Sequence, residues 1–347
     1  MLFDLYDLPF DVQAAHLYLG LGLGLLFGIA AQISRFCLRR GLVAGPDRAP
    51  ALGTWLTALA TAIAATSAAI WLGWIDLSDH RLMTTDLPLL AIVVGGLAFG
   101  IGMVLTRGCV SRLTVLGGTG NLRALTVLLV FAVVAHATLK GVFAPLRVAL
   151  GSVTTETGIA SLAELPGGLL TWAALAIAGL VAAITVLRPR PLHAVMAVVI
   201  GLLVAFGWVA TGWLLMDEFD PLPVQSLAFT STWADSLFWA VASSSIPAGF
   251  GVGMVAGVFG GAFLSALLRR ELSFASFEDA PQTLRYVAGG ALMGFGGVLA
   301  GGCTVGAGLS GVSMLSIAAI AALVSIGVGA LLADRVLGRA PLMQPAE

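Results

Sequence analysis

The stretch GGLAFGIGMVLTRGC at residues 95–109 returns as GGALMGFGGVLAGGC at residues 289–303. Both follow the frame GGxxxGxGxxxxxGC at a constant offset of 194. Gly95, Gly96, Gly100, Gly102, Gly108 and Cys109 match Gly289, Gly290, Gly294, Gly296, Gly302 and Cys303. Glycine matches come easily in a chain with 44 glycines, but cysteine occurs only three times, so two in-frame Gly-Cys endings make coincidence a poor account. Each copy is followed by a short, Gly-rich, weakly apolar piece: VSRLTVLGGTGN (110–121) after the first, TVGAGLSG (304–311) after the second. A membrane span needs about 20 apolar residues, so neither piece crosses. Each reads as a re-entrant segment that carries Cys109 or Cys303 toward the bilayer centre.

Outward from this pair, composition sets the class. Of 347 residues, 59% are hydrophobic and 10% charged, against roughly a quarter charged in soluble domains. That excludes a cytosolic enzyme and predicts an all-α polytopic membrane protein. A net charge of −1 excludes a nucleic-acid binder driven by phosphate neutralisation. Three widely separated cysteines form neither a disulfide framework nor a CxxC zinc pattern, so no metal and no cofactor is expected. The opening MLFDLYDLPFD has three Asp and no Lys or Arg, the reverse of a basic signal-peptide start.

Nine spans are expected, near 14–34, 51–74, 88–106, 124–146, 168–187, 193–215, 236–266, 284–301 and 312–333; the seventh is long enough to be tilted or broken. Arg35, Arg39, Arg40 and Arg48 fall in the first connection, Arg107, Arg112 and Arg123 in the third, Arg188 and Arg190 in the fifth, Arg269, Arg270 and Arg285 in the seventh, and Arg335 and Arg339 in the tail. The even connections hold only Arg81, Lys140 and Arg147, and collect acids such as Asp76, Asp79, Asp86, Asp217, Glu218 and Asp220. By the positive-inside rule the N-terminus is outside and the C-terminus cytoplasmic. The two copies of the frame then run in opposite directions. An inverted repeat of this kind places its site near the midplane, where discontinuous helices meet. We expect one membrane transport domain over 1–347, with repeat halves of about 14–190 and 193–335. A weaker match, Gly20, Gly22, Gly24 and Gly28 with Gly251, Gly253 and Gly257, conflicts with inversion, because its two spans run the same way. Either it is incidental or a short hidden helix alters the count.

Three blocks, GIAAQISRFCLRRGL (28–42), GGLAFGIGMVLTRGCVSRLTVLGGTGNLRAL (95–125) and GGALMGFGGVLAGGCTVGAGLSGVSMLS (289–316), resemble the YeeE/YedE family of bacterial inner-membrane proteins, whose characterised members take up thiosulfate. The resemblance implies an hourglass-like monomer with nine crossing helices and extra short ones. It implies three cysteines along a central path, here Cys37, Cys109 and Cys303. It also implies a partner, a small cytoplasmic sulfur-carrier protein of the sulfurtransferase type. Relatives associated with selenium or other sulfur species leave the substrate open.

Thiosulfate is a dianion with hard oxygens and one soft sulfur. Conduction needs favourable but weak multi-site contact. Helix N-termini in re-entrant segments favour anions, glycine lets an anion approach the backbone, and a thiol is a weak donor suited to a soft sulfur. The expected site is Cys37, Cys109 and Cys303 with Gly108, Gly302 and Thr304, acting as neutral thiols in an S–H···S relay. Arg107 is a secondary candidate that either attracts the anion or snorkels to the interface. Asn121 either caps a helix or meets substrate, and the cap is preferred. His136 and Lys140 share a helix face and are kept outside the core site. Bland readings exist for each: a free cysteine is usually a small packing residue, the glycines permit close packing, and Arg35, Arg39, Arg40, Arg269 and Arg270 read as positive-inside anchors. No Walker A sequence is present. The competing classes are a membrane sulfurtransferase with Cys109 activated by Arg107, and a scaffold, which has no need of broken backbone at membrane depth.

Overall fold

A computed structural model describes residues 11–216 and 222–337. Residues 1–10, with Asp4 and Asp7, and Asp217, Glu218, Asp220 and Arg339 lie outside the described residues. The helices are α1 (Val12–Ser34), α2 (Leu38–Leu42), α3 (Arg48–Trp71), α4 (Leu89–Leu105), α5 (Val110–Gly118), α6 (Leu122–Lys140), α7 (Ala144–Gly151), α8 (Gly168–Leu187), α9 (Pro191–Val209), α10 (Thr230–Ala242), α11 (Phe250–Leu268), α12 (Ala280–Leu299) and α13 (Ile317–Leu337). The only strands among the described residues are β1 (Asp86–Leu87) and β2 (Thr155–Glu156), an antiparallel pair that clips two loops together. Eight segments of the described chain are long and apolar enough to cross a membrane. α12 has spanning length too, 20 residues, but Gln282, Thr283 and Arg285 make its first turns polar. The chain is thus an all-α polytopic membrane protein.

The expected span 236–266 is two helices. α10 has 13 residues, about 20 Å at 1.5 Å per residue, too short to cross. It stops before Ser243, Ser244 and Ser245, and Pro247 cannot continue a helix. The span near 124–146 likewise ends at Lys140, where Gly141 closes α6, and α7 follows as a separate short helix.

Glycines set how the long helices meet. A Cβ at Gly95 would lie 2.7 Å from the Gly296 carbonyl oxygen, and one at Gly296 would lie 2.5 Å from that of Gly95. Gly102 and Gly289 oppose each other in the same way, at 2.5 and 2.9 Å. The two copies of the frame therefore cross antiparallel, each copy's glycines against its counterpart's. The remaining frame glycines extend the symmetry. Gly96 and Gly100 face Ala322, Ile326 and Ala330 of α13, while Gly290 and Gly294 face Val127, Phe131 and Ala135 of α6. These partners are themselves offset by 195. In lipid, where apolar burial gives helices little reason to associate, such backbone approach supplies the attraction.

The weaker glycine match has a different origin. Gly20, Gly24 and Gly28 abut the backbone at Phe250, Met254 and Val258, and Gly253, Gly257 and Gly261 abut Leu17, Leu21 and Leu25. Register rises together on both sides, so α1 and α11 pack in parallel. The match reflects one mutual contact, not an inverted copy, and α10, too short to cross, leaves the alternation of spans intact. α8 stands apart: Ala173 alone is buried on it.

Irregular backbone inside the bundle is satisfied by hydroxyls, as a water-poor interior requires. Ser310 donates to the Leu227 carbonyl at 2.6 Å, Ser226 to Val204 at 2.6 Å, and Ser316 to Leu82 at 2.5 Å.

Candidate functional site

Each cysteine follows the same local break. Arg35 (φ 50°), Arg107 (φ 59°) and Gly301 (φ 75°) are left-handed residues just past the ends of α1, α4 and α12. In each turn the left-handed residue's own N–H donates three residues back, Arg35 to the Gln32 carbonyl, Arg107 to Val104 and Gly301 to Val298; in the first two, Phe36 N–H to Ala31 and Gly108 N–H to Met103 add a wider bond. Two residues after each left-handed position comes a cysteine: Cys37, Cys109 and Cys303. Left-handed backbone costs a non-glycine residue roughly 1–2 kcal/mol, so Arg35 and Arg107 hold their turns against a local penalty, while Gly301, in the frame position of Arg107, does so freely. The helix then restarts. Cys37 stands at the N-cap of α2 and Cys109 at that of α5. After Cys303 a wide turn over Gly306–Gly311 begins, with the Ala307 and Gly308 N–H groups both donating to the Cys303 carbonyl.

The thiols are 4%, 1% and 0% exposed in chain order. Cys37 Sγ and Cys109 Sγ are 3.9 Å apart, within sulfur hydrogen-bond range. The Ser111 hydroxyl is 3.2 Å from Cys109 Sγ, and the Thr304 side chain reaches the same thiol from the second copy. Cys303 Sγ accepts the Gly306 N–H at 3.4 Å. Thr106 holds the first break, its hydroxyl 2.9 Å from both the Gly102 and Gly108 carbonyls. Phe27, fully buried, backs the thiol layer against Phe36 and Phe229, with ring centroids at 6.4 and 5.3 Å.

A cavity of about 530 Å³ opens from the loop after α3. Its floor includes Gly306, the residue bonded to Cys303, and its walls carry His80, Arg81, Ala228 and Asp235. Arg81 donates to the Gly301 carbonyl at 3.1 Å, which ties this cation to the break before Cys303. The Leu82 N–H donates to His80 Nδ1 at 3.3 Å, so the neutral ring carries its hydrogen on Nε2. Burial, helped by the Arg81 charge, lowers the His80 pKa to about 4. The cavity therefore offers a fixed cation and a neutral N–H donor. A folded pKa below the unfolded one means the unfolded chain takes up the proton first. Stability should fall as pH drops from about 6.5 toward 4, and thermal melting in detergent should show His80→Gln flattening that decline.

On the other side of the thiols, Arg112 on α5 donates to Gln32 at 3.4 Å, and Gln32 to Glu271 at 3.2 Å. Arg39 is beside Cys37, and its Nε is buried without a hydrogen-bond partner among the described residues. Arg40 and Arg190 both pair with Asp47, at 2.9 and 3.3 Å.

The expected residues thus separate. Cys37, Cys109 and Thr304 come together; Cys303 adjoins the cavity through Gly306, whose N–H it accepts; Gly108 links the turn to Cys109. At Gly302 a Cβ would lie 2.6 Å from the Ala307 nitrogen, so the second break has no room for a side chain there. Asn121 accepts the Ala124 N–H at 3.1 Å and caps α6. Arg107 makes the turn, and no hydrogen bond joins it to a thiol among the described residues. His136 and Lys140 pack on Phe238, at 4.9 and 5.6 Å. Sequence reasoning missed His80, Asp235 and Arg112. Arg81 carried one signal, being one of three basic residues in the even connections.

A protein-family model described as Sulphur transport matches residues 33–332. The chain is 29% identical over 332 residues to the Thiosulfate transporter TsuA of Escherichia coli strain K12, covering 86% of this chain and 88% of that protein. It is 26% identical over 322 residues to the Thiosulfate transporter TsuA of Spirochaeta thermophila, covering 87% and 93%.

Proposed function

The chain belongs to the Sulphur transport family, and from that premise we propose that it carries thiosulfate inward across a bacterial inner membrane, through Cys37, Cys109 and Cys303 acting in series. The carrying observation is the placement of three buried thiols at helix breaks, two of them 3.9 Å apart, behind a cavity whose wall holds Arg81. The anion meets Arg81 and the His80 N–H first. Gly306 and Cys303 receive it at the floor. Thr304 and Cys109 lead to Cys37, and Arg39 and Arg112 wait on the far side. Beyond Arg81 each step offers a neutral or distant partner, so no later contact holds the ion too tightly to leave. The names of the two relatives support thiosulfate as the substrate, and the charge pattern supports N-terminus outside and C-terminus cytoplasmic. The glycine register supports halves of about 14–190 and 193–335. The arginine-rich inner face is the docking surface for a small sulfur-carrier protein. On this reading the chain transports and does not catalyse. Cysteine persulfide on the purified protein after exposure to thiosulfate, seen by mass spectrometry, would favour a sulfurtransferase instead.

The test is uptake of sulfur-labelled thiosulfate into liposomes, with sulfite, sulfide and selenium analogues as competitors. Thiosulfate-selective uptake supports the reading, and its absence overturns it. Arg81→Gln should raise KM about tenfold with little change in kcat, as for a contact made equally in ground and transition states, and added salt should weaken the difference. Moving a dianion inward against an inside-negative potential is uphill by about 4.6 kcal/mol per 100 mV, so a compensating cation is required unless consumption inside draws the ion in.

A further inference from the structure

A second cavity of about 290 Å³ adjoins the outer one and shares Leu222, Gln225 and Asp235 with it. Gln13 and His16 of α1, Lys140 of α6 and residues of α10 and α11 complete its wall. The thiol path makes no use of it.

His16 is 2% exposed and half satisfied. Its Nδ1 lies 2.9 Å from the Val12 carbonyl oxygen. A carbonyl only accepts, so Nδ1 carries the hydrogen, and in the neutral ring Nε2 is left as a bare acceptor. That Nε2 is buried with no hydrogen-bond partner among the described residues, a costly state at such depth. Asp235 lies on the wall common to both cavities. The charged and titratable groups facing it are Lys140 and His136 from α6 and Arg81 from the loop after α3. No cluster of three metal-ligating side chains occurs among the described residues. A proton needs no coordination shell, only an acceptor, and here two acceptors line one small cavity.

We propose that this second cavity is a proton site, with His16 Nε2 and the Asp235 carboxylate as acceptors, coupled through their shared wall to the anion in the outer cavity. The inference rests on the thiosulfate reading above. A dianion beside Arg81 raises the proton affinity of Asp235, and by linkage a proton there raises the affinity for the anion by the same factor. Each proton carried inward offsets one of the two charges moved.

The experiment uses the full chain in liposomes with the membrane potential clamped, and reads labelled thiosulfate uptake with the outside at pH 5.5 or 7. Before the anion arrives, His80, with its pKa near 4, is neutral across this range. Acid outside should speed uptake roughly fivefold or more, and uptake should alkalinise a weakly buffered external medium. Asp235→Asn and His16→Gln lie on different helices, so misfolding of one leaves the other to be read; in each, the acceleration should fall below about twofold. Wild-type uptake that proceeds but ignores the pH gradient overturns the proton site alone. Both variants retaining the full response overturns its assignment to these residues. No thiosulfate uptake by the wild type under any gradient overturns the substrate reading, and this inference with it.

Discussion

Cys303→Ala and Cys109→Ala should each lower thiosulfate uptake about a hundredfold while leaving the protein folded. A hydrogen bond to a charged group contributes about 1.5–3 kcal/mol, and in a closed, water-poor site nothing replaces a lost donor. Each 1.36 kcal/mol is a factor of ten in rate, so one missing contact costs roughly ten- to a hundredfold, and the upper end applies where no water enters. Cys303 and Cys109 are 0% and 1% exposed, which places them there. Cys37→Ala should follow the same pattern, since its thiol is the one 3.9 Å from Cys109. Serine keeps a donor but is shorter and harder, so Cys109→Ser should retain more uptake than alanine, still at least about tenfold below wild type. Labelled uptake into liposomes, normalised to monodisperse protein, measures all of these. If Cys303→Ala and Cys109→Ala transport at the wild-type rate, the thiols are packing residues and the relay is wrong.

Gly296→Val and Gly102→Val should destabilise the protein by at least about 3 kcal/mol and prevent recovery of a monodisperse species. A Cβ at either position lies 2.5 Å from a backbone oxygen of the opposite helix, Gly95 or Gly289. A backbone carbonyl cannot rotate away as a side chain can, so the α4–α12 crossing must open. Opening it moves both breaks, because Cys109 and Cys303 sit just past the ends of these two helices. Gly22 and Gly327 serve as internal controls, since a Cβ there meets nothing within 4 Å. Gly22→Ala and Gly327→Ala should be neutral, or stabilising by up to about 1 kcal/mol through helix propensity. Thermal unfolding in detergent separates the two groups. Equal tolerance at all four positions would contradict the antiparallel crossing.

The features of the fold that were legible in the sequence had local signatures. The frame ending in Gly-Cys marked the inverted pair because glycine at a contact face and cysteine at a break are fixed by what touches them, and what touches each copy is the other copy. The pieces after Cys109 and Cys303 were too short to span, and that alone predicted interrupted helices. Asn121 stood where a cap belongs, and it caps α6. The cavity that carries Arg81 was not legible. Arg81, Ala228 and Asp235 come from different connections and helices, and no spacing along the chain relates them. The common break, a left-handed residue two before each cysteine, escaped because Arg35 and Arg107 are not the glycines such a turn favours. Only Gly301, in the second copy, carried that hint.

By itself, then, the sequence determined what is set by solvent and period. A chain 59% hydrophobic and 10% charged must bury its backbone polar groups in helices within lipid, and its seventeen basic residues fall mostly in alternate connections between those helices. Tertiary structure alone decided which glycines face each other. The same residue spacing produced an antiparallel crossing between α4 and α12 and a parallel one between α1 and α11, because spacing along one helix fixes a face but not the direction of the partner that fills it. It also decided that a thiol from the first break and a hydroxyl from the second share one point, since that contact depends on where two turns end in space.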